Sequence, residues 1–230
     1  MKKLRLLEVY FRKEIFPSEI ASFRRAVIAI AGMENILFHN HLNDKFRYSY
    51  PLIQYKIISG KPAIVCLERG VDEIHHFFNR MGIKKHRLSD RNYTFEIDRI
   101  KTAEYTLQVW ENDFSCRLLN WLPFNQENYR RFKEMEDDSS KKTQLEKILT
   151  GNILSFAKGV NWQVDKEIHV NIFSIDRERI IPVKETKREA FHIRFKTNVF
   201  LPPNIGLGKN TSLGYGIVKK AILRKSKTVV

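Results

Sequence analysis

Two histidines separated by a single residue, His39 and His41, stand just ahead of Lys45, Arg47 and Tyr48. On an extended backbone such a pair projects to one side, whereas on a helix the two side chains would diverge by about 200°. Because Asn43-Asp44 follows directly, a loop or short extended piece is the better placement. Two imidazoles on one side can act as base and acid near neutral pH. One would take the proton of a ribose 2′-hydroxyl, the oxygen would attack the adjacent phosphorus, and the 5′-oxygen of the next nucleotide would leave. The products would be a 2′,3′-cyclic phosphate and a 5′-hydroxyl. Lys45 or Arg47 would stabilise the negative charge that develops, and Tyr48 would hydrogen-bond to the 2′-hydroxyl or the phosphate.

A His-x-His pair is also often merely structural, and it can chelate a metal with Asp44 as third ligand. No Cys or further His lies close by in sequence to complete such a site, so neither a metal nor a cofactor is expected. The letters His-Asn-His match the name of a metal-dependent nuclease motif, but that motif spreads its residues over a longer ββα unit.

A second stretch with chemical promise is Ile205 to Gly216. Four of the chain's 10 glycines lie here, as Gly206-Leu207-Gly208 and Gly214-Tyr215-Gly216 around Lys209, Asn210, Thr211, Ser212 and Leu213. Such a run frees the backbone to approach a phosphate chain closely. Neither the Gly-x-x-x-x-Gly-Lys phosphate loop nor the Gly-x-Gly-x-x-Gly dinucleotide motif fits the spacing. The expectation is that backbone N–H groups of this loop, with Lys209, Asn210, Thr211 and Ser212, grip RNA phosphates. A plain hairpin between two strands is the competing reading.

Charge points the same way. The 230 residues carry a net charge of +15, which asks for a polyanionic partner. From Ala190 onward there is no Asp or Glu, while Arg194, Lys196, Lys209, Lys219, Lys220, Arg224, Lys225 and Lys227 are basic. Cys66 and Cys116 sit in apolar runs and read as buried small hydrophobes, which suits a reducing cytoplasm. No apolar run is long enough to span a bilayer. A cytoplasmic protein without a membrane partner is expected.

The elements that must position these residues follow from hydrophobic periodicity. A strand over 4–11 precedes a helix with Ile20, Phe23, Val27 and Ile30 on one stripe, ending near Gly32. Arg24 and Arg25 lie off that stripe, as exposed bases. Strands over 52–58 and 63–67 flank a hairpin turn, and a helix over 71–81 leads to a strand near 94–100. That order is βαββαβ, the ferredoxin-like arrangement. The pattern then restarts, with strands near 104–110 and 115–119, helices over 126–133 and 143–158, and an exposed acidic loop over 134–140. Strands return at 167–174, 179–184, 190–200 and 217–223. An α+β fold of two tandem ferredoxin-like domains, 1–100 and 101–230, is expected, with the boundary near 99–103. His75, His76, His169 and His192 read as packed or surface residues, and Trp110, Trp121 and Trp162 as core.

The Gly-hydrophobic-Gly pairs around a five-residue basic segment resemble the C-terminal signature of the CRISPR repeat-processing endoribonucleases. These belong to the repeat-associated RNA-binding superfamily built on ferredoxin-like domains. Leu37 to His41, followed by Phe46 to Lys56, resembles the catalytic region of one subgroup. The resemblance implies that His39, His41 and Tyr48, the first tyrosine of Arg-Tyr-x-Tyr-Pro, carry metal-independent repeat cleavage. It also implies a glycine loop that packs on the N-terminal domain and contacts repeat RNA. The partner it implies is the repeat transcript; other CRISPR effector subunits and a second copy of the chain in a homodimer are further candidates on which the residues themselves are silent. The runner-up reading is a non-cleaving subunit that holds the repeat-derived end of a guide RNA.

Overall fold

The computed structural model describes residues 1–39, 41–42, 45–46, 49–82, 86–183 and 186–221, with 41–42 and 45–46 described through the backbone alone. Strand β1 (Lys2–Phe11) has two buried faces. Leu4, Leu6 and Tyr10 look one way, while Val9 and Phe11 look toward helix α1 (Ile20–Ala31). The predicted stripe Phe23, Val27 and Ile30 is buried there, with the Phe11 and Phe23 rings edge to face at 5.4 Å. Gly32 ends the helix at φ 100°, its N–H donating to the Ile28 carbonyl at 2.9 Å. Arg24, expected as an exposed base, is half-buried against this core, because its long stem lies along apolar surface.

Short helix α2 (Ile36–His39) leads into β2 (His41–Leu42), which pairs with β3 (Lys45–Phe46). Then come β4 (Ile53–Ile58) and β5 (Lys61–Leu67), joined by a tight turn at Ser59-Gly60. The helix expected over 71–81 is two pieces, α3 (Arg69–Glu73) and α4 (His75–Arg80). They part at buried Ile74, whose carbonyl accepts from both Phe77 N at 3.0 Å and Phe78 N at 3.2 Å, a tightened turn. A small hairpin, β6 (His86–Leu88) and β7 (Arg91–Tyr93), precedes β8 (Ile97–Leu107). The sheet order β4-β5-β1-β8 is antiparallel throughout and is that of a ferredoxin-like domain. Paired with β1 from Phe11↔Ile97 to Lys2↔Leu107, β8 runs through residues 99–103, so the change of sheet comes at Gln108.

Strand β9 (Val109–Trp121) opens the second sheet. Helices α5 (Gln126–Glu134) and α6 (Asp138–Gly159) are each capped by an acceptor side chain: Asn125 takes the Asn128 N–H and Asp137 the Ser140 N–H, both at 2.7 Å. The acidic loop expected over 134–140 therefore ends in a helix start, where negative charge is favourable. Strand β10 (Val170–Val183) is continuous where two strands were expected. Bulges between Ile172 and Ser174 and between Ile175 and Arg177 break its side-chain alternation. It pairs with β11 (Thr186–Val199), and β12 (Ile217–Lys220) closes the order β10-β11-β9-β12.

The two sheets thus share one strand order, but their third and fourth strands are linked differently. In the first half α3, α4 and the β6–β7 hairpin fill that link. In the second, residues 200–216 do so with no α-helix, only a 3₁₀ turn at Thr211–Leu213. One apolar cluster joins the halves, with Leu6 and Val65 of the first sheet packed among Leu118, Phe156 and Phe195. Cys66 and Cys116 are buried in the two cores and unbonded, and burial pushes the Cys116 thiol up to about 12. Trp121 and Trp162 are buried as expected, while Trp110 is 36% exposed. Among the described residues, no helix is long and apolar enough to cross a membrane.

Candidate active site and nucleic-acid interface

His39 is the last residue of α2, and its carbonyl receives the Arg24 guanidinium at 2.7 Å. The preceding carbonyl, of Phe38, receives the buried Tyr55 hydroxyl at 2.9 Å. The end of α2 is therefore held by α1 and β4. His39 Nε2 lies 2.8 Å from the Met33 carbonyl. A carbonyl only accepts, so Nε2 carries the proton of this contact, and in the neutral ring the lone pair sits on Nδ1. The backbone of His41 pairs with that of Phe46, and Leu42 with Lys45. The side chains of His41 and Lys45 lie outside the described residues, as do Asp44, Arg47 and Tyr48. So do Arg224, Lys225 and Lys227.

Strand β4 also holds the glycine loop. Tyr50, just ahead of it, donates to the Gly206 carbonyl at 2.8 Å, and Gln54 Oε1 accepts the Gly206 N–H at 2.9 Å. Lys56 Nζ donates to the Thr211 carbonyl at 3.2 Å. Alternation along the strand sends Tyr55 to the α1 side and Gln54 and Lys56 to the other. One strand therefore supports the His39 helix through one residue and the loop through its two neighbours.

On its other side the loop is tied to the second sheet. Lys209 N donates to Leu122 O at 2.9 Å, Gly216 N to Asn120 O at 3.0 Å, and Leu207 N to Gly216 O at 2.8 Å. Gly214 N turns back to the Thr211 carbonyl. Each of these N–H groups already donates inside the protein. The glycines are explained by packing: a Cβ at Gly216, φ +63°, would lie 1.8 Å from Leu207 O, and one at Gly208 would lie 2.7 Å from the Trp121 ring. What the loop presents outward is side chains, with Lys209 exposed and Asn210 and Ser212 partly so, while Thr211 is buried.

The chain belongs to the Cas6b family. Its N-terminal domain model matches residues 2–106 and its C-terminal domain model residues 108–221. A crystal structure of Cas6b superposes with a TM-score of 0.82 at 22% identity, covering 96% of this chain and 100% of that one. A CRISPR RNA processing endoribonuclease Cas6b gives 0.74 at 20% identity with the same coverage. Both share the fold. An uncharacterized protein of Methanocaldococcus jannaschii is 34% identical over 121 residues, 52% of this chain and 80% of its own length.

Sequence reasoning missed the buried polar seam that fastens this Cas6b loop. Lys56 is wholly buried, and burial, helped by the charge of Lys219, pushes its ammonium down to about 7. Lys219 donates to Asn204 Oδ1 at 2.5 Å, Asn204 Nδ2 to Glu8 Oε1 at 2.6 Å, and the Tyr10 hydroxyl to Glu8 Oε2 at 2.9 Å. The available signal was the alternation of Gln54 and Lys56 on one face of an otherwise apolar strand. Arg24 was read as a surface base, and its hold on α2 was missed with it. His192 does meet a partner, Asn120 Oδ1 at 2.8 Å, and burial with Arg179 and Arg177 nearby holds its pKa below the usual imidazole value.

Proposed function

We propose that this protein binds CRISPR repeat RNA and cuts the precursor transcript within each repeat, without a metal or cofactor, by attack of a ribose 2′-hydroxyl. His39 and His41 share the roles of base and acid, and Tyr48 orients the 2′-hydroxyl or the phosphate. Lys45 and Arg47 offset the charge that builds on phosphorus, and Lys209, Asn210 and Ser212 of the loop hold the strand through its backbone. The observation that carries this reading is the double use of β4: Tyr55 fixes the helix that ends in His39, and Gln54 and Lys56 fix the loop. Because β4 is the edge strand of its sheet, RNA held on the loop on one face can pass around that edge to the histidine segment on the other. Membership of the Cas6b family and a fold shared with a CRISPR RNA processing endoribonuclease support the substrate class.

The test is cleavage of the cognate repeat RNA in excess EDTA, with analysis of the product ends and a parallel substrate carrying one 2′-deoxynucleotide at the cut. Expected are unchanged cutting in EDTA, a 2′,3′-cyclic phosphate, and no cutting of the deoxy substrate. Loss of cutting in EDTA, or cleavage of the deoxy substrate, would overturn the mechanism.

A further inference from the structure

Beside the glycine loop, where the β10–β11 hairpin passes the start of α5, lies a cleft of about 220 Å³. Phe124, Asn125, Tyr129, Arg188 and Glu189 are among the residues that line it. Phe124, Asn125 and Arg188 continue into an adjoining hollow that Lys209 reaches. The cleft therefore opens toward the one fully exposed cation of the loop, within reach of a strand lying along it.

Two features of its wall ask for a particular guest. Glu189 is buried, 8% exposed, and its Oε1 is paired with Lys133. Its Oε2 is also buried and accepts no hydrogen bond among the described residues. A buried carboxylate oxygen left without a donor bears its full desolvation cost, which a ligand N–H would offset. Beside it Tyr129 is 42% exposed, its ring 5.7 Å from that of Phe124 and with Lys133 Nζ 5.5 Å from its centroid. A partly exposed aromatic ring next to an unfilled acceptor suits a flat heterocycle with N–H groups on its edge.

We propose that this cleft takes one unpaired guanine of the bound RNA. The base stacks on Tyr129, its N1–H and N2–H donate to Glu189 Oε2, and its flanking phosphates meet Arg188 and Lys209. Guanine is preferred because it places two donors side by side. Uracil has a single N–H between two carbonyls that a carboxylate repels, and adenine and cytosine set their amine beside a ring acceptor. The edge used is the one buried in base pairing, so the base must be unpaired. The inference rests on the reading of the loop as RNA-binding and adds a site for base selection to it.

The experiment is equilibrium binding of short oligouridine RNAs carrying one central guanosine, inosine, adenosine or uridine, at fixed salt. Inosine lacks only the N2 amine. Wild type is expected to bind the guanosine RNA about tenfold more tightly than the inosine RNA, the effect of one well-made hydrogen bond to a charged group. Glu189→Gln should abolish that ratio. Tyr129→Ala should weaken both purine RNAs by about tenfold while leaving the ratio intact. Equal binding of all four RNAs by wild type would overturn the guanine site while leaving RNA binding by the loop standing, and absence of binding to any of them would overturn both. The comparison within wild type needs no variant, so a folding defect in Glu189→Gln would not obscure the result, and a ratio that survives in a folded Glu189→Gln protein would also overturn it.

Discussion

The two halves have the same strand order and differ in what connects the third strand to the fourth. In the first half the connection is α3, α4 and the β6–β7 hairpin, and its helical part buries Ile74 and Phe77 and presents its polar face to solvent. In the second it is a glycine loop that buries Gly206, Leu207 and Thr211 between the halves and presents Lys209. A helix satisfies its own backbone, whereas the loop depends on Tyr50, Gln54 and Lys56 of the first half and on Asn120 and Leu122 of the second. Where the architecture gives up a helix it gains a joint between the halves, and the joint is where the proposed chemistry gathers.

The sharpest way to break that contrast is Gly216→Ala. The added methyl meets a backbone oxygen at 1.8 Å in a left-handed conformation, so the loop must leave its seat. We expect a stability loss on the order of 3 kcal/mol, a Tm lowered by about 10 °C, and RNA affinity lost with it. Thermal denaturation and RNA binding check both.

The seam beneath the loop has a pH signature. The folded-state Lys56 ammonium is pushed from 10.5 down to about 7. Between those values the unfolded chain holds more protons than the folded one, so stability rises with pH across that window, and below it the cost of the buried charge is fully present. Lys56→Met is therefore expected to be more stable than the parent at pH 6, on the order of a few kcal/mol, with the advantage shrinking toward pH 10. Urea unfolding from pH 6 to pH 10 measures the gap, and parallel curves would count against it. Lys219, whose own ammonium burial also lowers and Glu8 supports, faces the same seam.

Fold and seam were unequally legible. Helix α1 could be read because Phe23, Val27 and Ile30 repeat at helical spacing. The continuity of β10 could not, since its bulges interrupt the alternation on which strand reading depends. Lys56 carries no local mark of its burial, and only the arrival of Thr211, 155 positions later, makes it a buried anchor. The link between Glu8 and Asn204 spans 196 positions and has no local pattern at all. The glycines were legible as a loop, but their reason is steric and internal rather than an open backbone, because the surfaces of Trp121 and Leu207 that crowd them are created by folding.

Smaller effects sharpen the comparison further. Lys209→Ala removes the loop's outward cation without touching its seat, and should flatten the log–log salt dependence of single-stranded RNA binding by about 0.7 at unchanged Tm. Gly82, in the corresponding connection of the first half, has no atom of the described residues within 4 Å of an added Cβ. Gly82→Ala is expected to shift stability by no more than about 0.5 kcal/mol in unfolding experiments.

The central claim is that holding and cutting RNA are divided between the loop and the histidine segment supported by one strand. Single-turnover cleavage of the repeat RNA with protein in saturating excess, alongside the dissociation constant, tests it most directly. The His39→Ala/His41→Ala protein should bind as the parent does and cut at least about 10²-fold more slowly, the range for loss of general acid–base catalysis. Lys209→Ala should bind more weakly and cut at nearly the parental rate once saturated. A double histidine variant that cuts at the parental rate when saturated would contradict the account.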